Sequence, residues 1–406
     1  ATREKSKDEQ KFLKLLAEWI VCSNQPFSCV ENPSFLKMMG HSSKFKPPSR
    51  YMLTNKILPA MEKETKAKIK AQLKDQRPSL TADVWEDGDV ALVSITAHYI
   101  DSEFTPRNVI LGAKVLQGSH SADNISKVME ECLKEYDISE SASSVTTDSA
   151  ATMTATIRKL GKANLVCCSH QIHLVVTEAL SGWSLDGAIQ QCRKFARFIH
   201  KSGPARKSLR RRLEGQTGPN KAPIRGVPRD CNVRWNSTYL MIDAIIEKID
   251  IVNEVLEEFG RERIADEDGL QLQKAAKLLK EFYHQTLNLS EEFTPATEVI
   301  PIMTELIAFC DQFVSSSTGE VVELAMDLRT NLRSRIIKYT SDVNLLSLML
   351  LDPRLAKDSQ LVPAYLHDDI RKKLTEWFKP ATSTASTTRP PVNRATAKFR
   401  NLIAER

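Results

Sequence analysis

Between residues 144 and 170 the chain changes its hydrophobic period twice, and few folds accept that. Residues 145–147 are β-branched and read as a short strand. Asp148 falls where that strand ends, and Ser149 is placed to cap the next element. Residues 150–160 then read as a helix stopped by Gly161, and 163–168 as the next strand. A strand that ends on an acid and turns into a helix sets a carboxylate at a sheet edge or simply caps the helix. Both readings stay open on the local residues.

The partner lies upstream. Residues 78–85, P-S-L-T-A-D-V-W, read as a strand with Leu80, Ala82 and Val84 on one face. Asp83 falls on the other face with Thr81 and Trp85. Two more alternating runs come next: Val93, Ile95, Ala97, Tyr99, and then Val109, Leu111, Ala113, Val115. Residues 122–136 carry Ile125, Val128, Met129, Cys132 and Leu133 at helical spacing. Three strands, a helix, a strand, a helix and a strand make the ribonuclease-H-like order. The first and fourth strands are neighbours in that fold, so Asp83 and Asp148 are expected to converge.

The rest of the chain reads as helix. Residues 8–22 place Phe12, Leu15, Leu16, Trp19 and Ile20 on one face, 26–48 are turn-rich, and 49–75 form a long helix. The expected division is a helical N-terminal segment (1–77), the mixed core (78–200), a basic loop (201–235), a helical insertion domain (236–380) and a disordered tail (381–406). Within the insertion, Ile242, Ile245, Ile249, Val252, Leu256 and Phe259 mark one helix, and Leu272, Ala275, Ala276, Leu279 and Phe282 a second. The fold class is therefore α/β plus all-α.

Net charge is +6, but residues 201–235 alone carry ten Lys or Arg against Glu214 and Asp230. The segment is +8 and the remainder −2, so the basicity is local and favours a nucleic-acid partner. The eight cysteines are scattered, as in a reducing compartment, and no apolar run suggests a membrane span. Cys167 and His170 form C-x-x-H; zinc needs two more ligands, and Cys168 and His173 do not complete a known spacing, so no zinc is expected.

Six stretches in order resemble hAT-type transposases and the BED-zinc-finger proteins domesticated from them: L-T-A-D-V-W (80–85), A-H-Y-I-D (97–101), T-T-D-S-A-A-T-M (146–153), C-C-S-H-Q-I-H-L (167–174), R-W-N-S-T-Y (234–239) and L-D-P-R (351–354). The chain departs from the family where Glu86 and Asp87 follow Trp85, and where Ser149 and Thr152 stand for two asparagines. The resemblance implies DNA as partner, a homo-oligomer, a nuclear location and a role for 1–77 in DNA binding and dimerisation. It implies a two-metal Mg²⁺ or Mn²⁺ site on three acids, two of them Asp83 and Asp148. The third acid is not identified; Glu298, Glu305 and Glu376 carry no pattern that nominates one. Neither a BED finger nor the family's C-terminal dimerisation motif is found.

The resemblance also implies that Cys167 and His170 shape the site. It gives Arg234 a phosphate and Trp235 a flipped base to stack on, with Lys207, Arg210, Arg211 and Arg212 as further DNA contacts. The alternative for Trp235 is an anchor of the helical domain. The expected function is a transposase-derived DNA-binding protein, without DNA cutting, that acts in DNA binding or transcription regulation. The alternatives are a fragment of an active transposase and a helical protein-interaction scaffold.

Overall fold

The alternating runs after Pro78 form a five-stranded sheet. It contains β1 (Ser79–Asp87), β2 (Val90–Ile100), β3 (Pro106–Leu116), β4 (Ser144–Thr147) and β5 (Ala163–Val166) in the order β3-β2-β1-β4-β5. β1, β2 and β3 pair antiparallel, whereas β4 lies parallel to both β1 and β5. This is the computed structural model of the chain, and it describes residues 6–216, 226–231, 234–355 and 364–377. The expected tail, 381–406, lies outside the described residues.

One sheet face is apolar and buried: Leu80 and Ala82 from β1, Val93, Ile95 and Ala97 from β2, and Val145 from β4. α5 (Ala122–Glu135) and α6 (Ala151–Lys159) supply Ile125, Met129, Cys132, Leu133, Met153 and Ile157 to the same core. Each fully buried Leu, Ile or Met contributes about 1.5–3 kcal/mol of transfer free energy. α6 stops as the sequence suggests. Gly161 adopts φ +64°, and the Gly161 and Lys162 N–H groups close back onto Arg158 and Ile157 carbonyls. Its start differs, because Ser149 makes no capping bond; instead the Asp148 carboxylate accepts the Ala150 N–H at 3.1 Å.

The alternation expected along β3 fails. Leu111 is buried, but Val115 is exposed and Leu116 buried in its place. Ile95 pairs with Gly112 and Thr96 with Ile110, so Leu111 is an extra residue in the ladder and the strand changes face after it. The Tyr136 hydroxyl donates to the Leu111 carbonyl at 2.8 Å.

The N-terminal segment has a core of its own, from Leu16, Ala17, Ile20, Val30 and Leu53. α1 (Lys7–Cys22) buries Leu13, Leu16, Ala17 and Ile20; Leu15 and Trp19 are exposed, so the buried stripe is rotated from the expected one. The turn-rich reading of 26–48 is corrected by α2 (Pro33–Ser42), where Asn32 accepts the Ser34 and Phe35 N–H groups and Pro33 fills the first turn. α3 (Arg50–Met52), a π-helical turn (Leu53–Ile57) and α4 (Leu58–Leu73) run on as the long helix. The wide turn precedes Pro59, whose ring a regular turn would drive into the carbonyl four residues back.

The structure divides into two compact units. The first holds the described residues up to Glu178, with those of Asp230–Thr238 and Ser290–Phe293; the second holds the described residues of Ala179–Arg229, Tyr239–Leu289 and those from Thr294 on. From Cys168 the chain is helical: α7 (Cys168–Gly182), α8 (Asp186–Lys201), α9 (Gly203–Gln216), α10 (Trp235–Ile246), α11 (Ile249–Glu258), α12 (Asp266–Asn288), α13 (Val299–Ser316), α14 (Val321–Thr340), α15 (Val343–Leu351) and α16 (His367–Trp377).

The helical part departs from expectation in three places. The basic loop is a helix over Gly203–Gln216. The stripe expected as one helix from Ile242 to Phe259 is broken between Ile246 and Ile249. One stretch of 21 residues, Ala296–Ser316, contains an 18-residue window with a mean hydropathy of 1.3, long and apolar enough for a membrane by composition alone. In the fold α13 packs along α14, burying Ile300, Met303, Leu306 and Cys310, and its Asp311 pairs with Arg329 and Arg333.

The L-D-P-R stretch is a clasp. The Asp352 carboxylate accepts Thr297 Oγ1 at 2.7 Å, Arg354 Nη2 at 2.7 Å, and the Arg354 Nε and backbone N–H at 3.0 Å each. Arg354 Nη1 reaches Glu298 at 2.5 Å. Arg354 holds the Asp352 carboxyl well below the usual carboxylate range. A carboxylate lowered in the fold stabilises above its unfolded pKa of about 3.9, and the contribution is lost as pH falls below that. Asp352→Asn should therefore cost about 1–2 kcal/mol at pH 7, a low figure because Arg354 is half exposed. Urea melts should show the gap closing at pH 3.

Candidate functional site: two carboxylates on parallel strands and a basic helix

In the β1–β4 ladder Leu80 faces Val145 and Thr81 faces Thr146. Counting on by two residues sets Asp83 level with Asp148. In the β4–β5 ladder Thr147 faces Val166, which sets Asp148 level with Cys167. This register puts Asp83, mid-way along β1, on one line with Asp148 and Cys167, the residues just after β4 and β5. Asp83 is exposed, and its carboxylate accepts its neighbour's N–H, from Val84 at 3.0 Å.

Cys167 leads into α7. Its N–H donates to the Thr147 carbonyl at 2.7 Å, and its own carbonyl accepts the Gln171 N–H at 3.1 Å. Burial pushes the thiol up; the N–H groups of His170 and Ser169 act against this, and the Asp83 and Asp148 carboxylates push it further. C-x-x-H opens α7, with His170 standing 5.9 Å from the ring of His173.

Asp83 and Asp148 suit two hard-oxygen positions around Mg²⁺ or Mn²⁺. Among the described residues no group of three or more His, Cys, Asp or Glu is gathered to hold a metal ion. Glu298, one of the spare acids, is engaged by Arg354.

Trp235 is 4% exposed and opens α10. Its backbone N–H, which has no partner within the helix, donates to His173 Nδ1 at 3.4 Å. That bond needs neutral His173, and burial, then His170, lowers its pKa. Beside it the Asp230 carboxylate accepts the Ser237 hydroxyl at 2.9 Å and the Thr238 hydroxyl at 2.8 Å, and the Cys231 N–H donates to Ser237 Oγ at 2.7 Å. The indole is enclosed, which the anchor reading of Trp235 requires and the stacking reading does not. Arg234 remains exposed next to it.

The basic residues are sorted by α9. Ala205, Ser208, Leu209 and Leu213 are buried, and Lys207, Arg210 and Arg211 are exposed on the other side. Arg210 pairs with Glu214, one turn on, and both side chains are open to water. Arg212 is different: it bridges Glu254 at 2.5 Å and Glu258 at 2.8 Å on α11 and so ties two helices together. Arg206 Nη2 donates to the His200 carbonyl at 2.6 Å and closes the end of α8. Residues 217–225 and 232–233, with Lys221 and Arg225, lie outside the described residues.

Two family models match consecutive stretches: a ZBED1 RNase-like domain over residues 81–173 and a ZBED1 RNase-like helical domain over 165–277. The human zinc finger BED domain-containing protein 4 is 23% identical over 85% of this chain and 30% of its own length. The rice (Oryza sativa subsp. japonica) zinc finger BED domain-containing protein RICESLEEPER 2 is 21% identical over 86% of this chain and 50% of its own. The Drosophila melanogaster transposable element Hobo transposase is 23% identical over 75% of this chain and 47% of its own. The chain is a hAT-derived protein of the ZBED type. It spans a third to a half of the length of these curated relatives.

Most motifs of this ZBED-type chain hold the fold. Asp101 of A-H-Y-I-D accepts the Glu103 and Thr105 N–H groups and Arg107 Nε, which shapes the β2–β3 turn. R-W-N-S-T-Y buries its Trp and ties its Ser and Thr to Asp230. L-D-P-R is the Asp352 clasp. Sequence reasoning missed Asp230 and the bond from Trp235 to His173; the polar pair Ser237–Thr238 after a Trp was the available signal for a nearby acceptor.

Proposed function

We propose that this chain is a transposase-derived DNA-binding protein whose ribonuclease-H-like core serves as scaffold. It acts on DNA in the nucleus, in transcription regulation, and does not cut DNA as this chain stands. One observation carries the reading: from Gly187 to Leu213 there are nine Lys or Arg and no Asp or Glu, and this run forms α8 and α9. Of these, Lys207, Arg210 and Arg211 are exposed on the outer side of α9 and make a surface for the phosphate backbone, while Arg206 and Arg212 are tied within the fold. The names of the relatives, BED-type proteins and transposases, support the same reading.

A second reading is a fragment of an active transposase, favoured by Asp83 and Asp148 standing level on parallel strands. A nicking assay with Mg²⁺ or Mn²⁺ on a terminal-repeat duplex separates the two. The 406-residue chain is expected to bind the duplex and leave it uncut. Metal-dependent nicking that disappears in Asp148→Asn would establish the second reading. Binding that is absent, or indifferent to salt, would point to the interaction scaffold.

A further inference from the structure

The second unit holds a cleft of about 260 Å³ lined by Gln191, Lys194 and Phe195 of α8, Leu256 of α11, and Arg261, Glu262 and Ile264 of the turn before α12. Phe195, Leu256 and Ile264 are buried and form an apolar floor. Lys194, Arg261 and Glu262 are exposed and form a charged rim with one net positive charge. Gln191 Oε1 is buried and has no hydrogen-bond donor among the described residues.

The walls are fixed by independent devices. Asn253 holds Ile264 twice, donating from Nδ2 to its carbonyl at 3.1 Å and accepting its N–H at Oδ1 at 3.0 Å. Gly260, at φ +61°, closes α11, and the Arg261 N–H returns to the Leu256 carbonyl at 2.8 Å. The Arg261 guanidinium lies 3.9 Å from the centre of the Phe198 ring, so its position is set before anything binds.

We propose that this cleft docks an acidic peptide segment, taking one large apolar side chain on its floor while a neighbouring carboxylate meets Lys194 and Arg261. Size decides the class. Pockets for whole small molecules run about 300–1,000 Å³, and this one is just below that range, enough for one side chain. Charge decides the neighbour, since two cations and one anion on the rim favour a carboxylate beside the anchor. An indole suits the floor best, because its N–H supplies a donor to a site lined by Gln191. Peptide docking here is independent of DNA binding on α9.

The test uses the full chain and a dye-labelled Glu-Trp-Asp peptide capped at both ends, read by fluorescence anisotropy. Saturable binding at or below about 1 mM is expected. Replacing the peptide's Trp by Ala should abolish it, and replacing both acids by Lys should abolish it too. Lys194→Gln should weaken binding about threefold to fivefold, and Lys194→Gln with Arg261→Gln about tenfold. Lys194 is exposed, so its variant folds, and thermal melting checks the double variant. No saturation, equal binding of the Ala peptide, or unchanged affinity in Lys194→Gln would overturn the proposal. Displacement of the peptide by a short DNA duplex, with the same loss in both variants, would also overturn it by assigning the cleft to nucleic acid.

Discussion

Neutralising Lys207, Arg210 and Arg211 together should make the log–log salt dependence of DNA binding shallower by about 2 to 3 units. Each cation that meets a phosphate releases about 0.9 counterion, so three lost contacts lower affinity on the order of 10²–10³-fold near 0.1 M salt. The three side chains are exposed on the outer side of α9, and the ion pair of Arg210 with Glu214 is too open to water to compete. Arg212→Gln is the control. It is held by Glu254 and Glu258 on α11, so its loss should lower thermal stability and leave the salt slope nearly unchanged. A slope that responds to Arg212 and ignores the other three would mean that the phosphate-facing side of α9 is assigned wrongly. Titrations on one duplex at four salt concentrations decide this.

Trp235→Ala should destabilise the chain by about 3–5 kcal/mol, the range for emptying a buried aromatic site. It should weaken binding to paired and mismatched duplexes alike, and only as far as the folded fraction falls. Trp235→Phe should recover most of the stability. A base-stacking Trp would behave in the opposite way, with stability intact and about 1–3 kcal/mol lost only on DNA with an unpaired base. Thermal melts alongside binding to both duplexes separate the two.

The β4–α6–β5 succession was legible because each element is short and locally self-specifying: three β-branched residues, a helix, and a glycine at the one position that needs positive φ. That β4 lies beside β1 was expected from the ribonuclease-H-like order of the elements. What escaped depended on contacts distant in sequence or on ambiguous residues. α9 was hidden because Gly203 and Pro204 read as breakers and five cations obscured the helical spacing of Ala205, Leu209 and Leu213. α2 was hidden in the same way, since Asn32–Pro33 is both a turn signal and a cap followed by a first-turn proline. The burial of Trp235 turns on His173, 62 residues away, and no local pattern reports that. The change of face in β3 comes from a single extra residue that alternation cannot reveal.

That extra residue bears on how the protein behaves at high concentration. β3 is the outer strand of the sheet, and eleven residues with Ile110 and Val115 exposed would otherwise invite a strand from another molecule. An incoming strand needs an even row of amide and carbonyl groups, and at Leu111 the row is broken and the carbonyl already taken by Tyr136. Irregularity in the ladder thus keeps the long edge from acting as a template for aggregation, at the cost of one unpaired position.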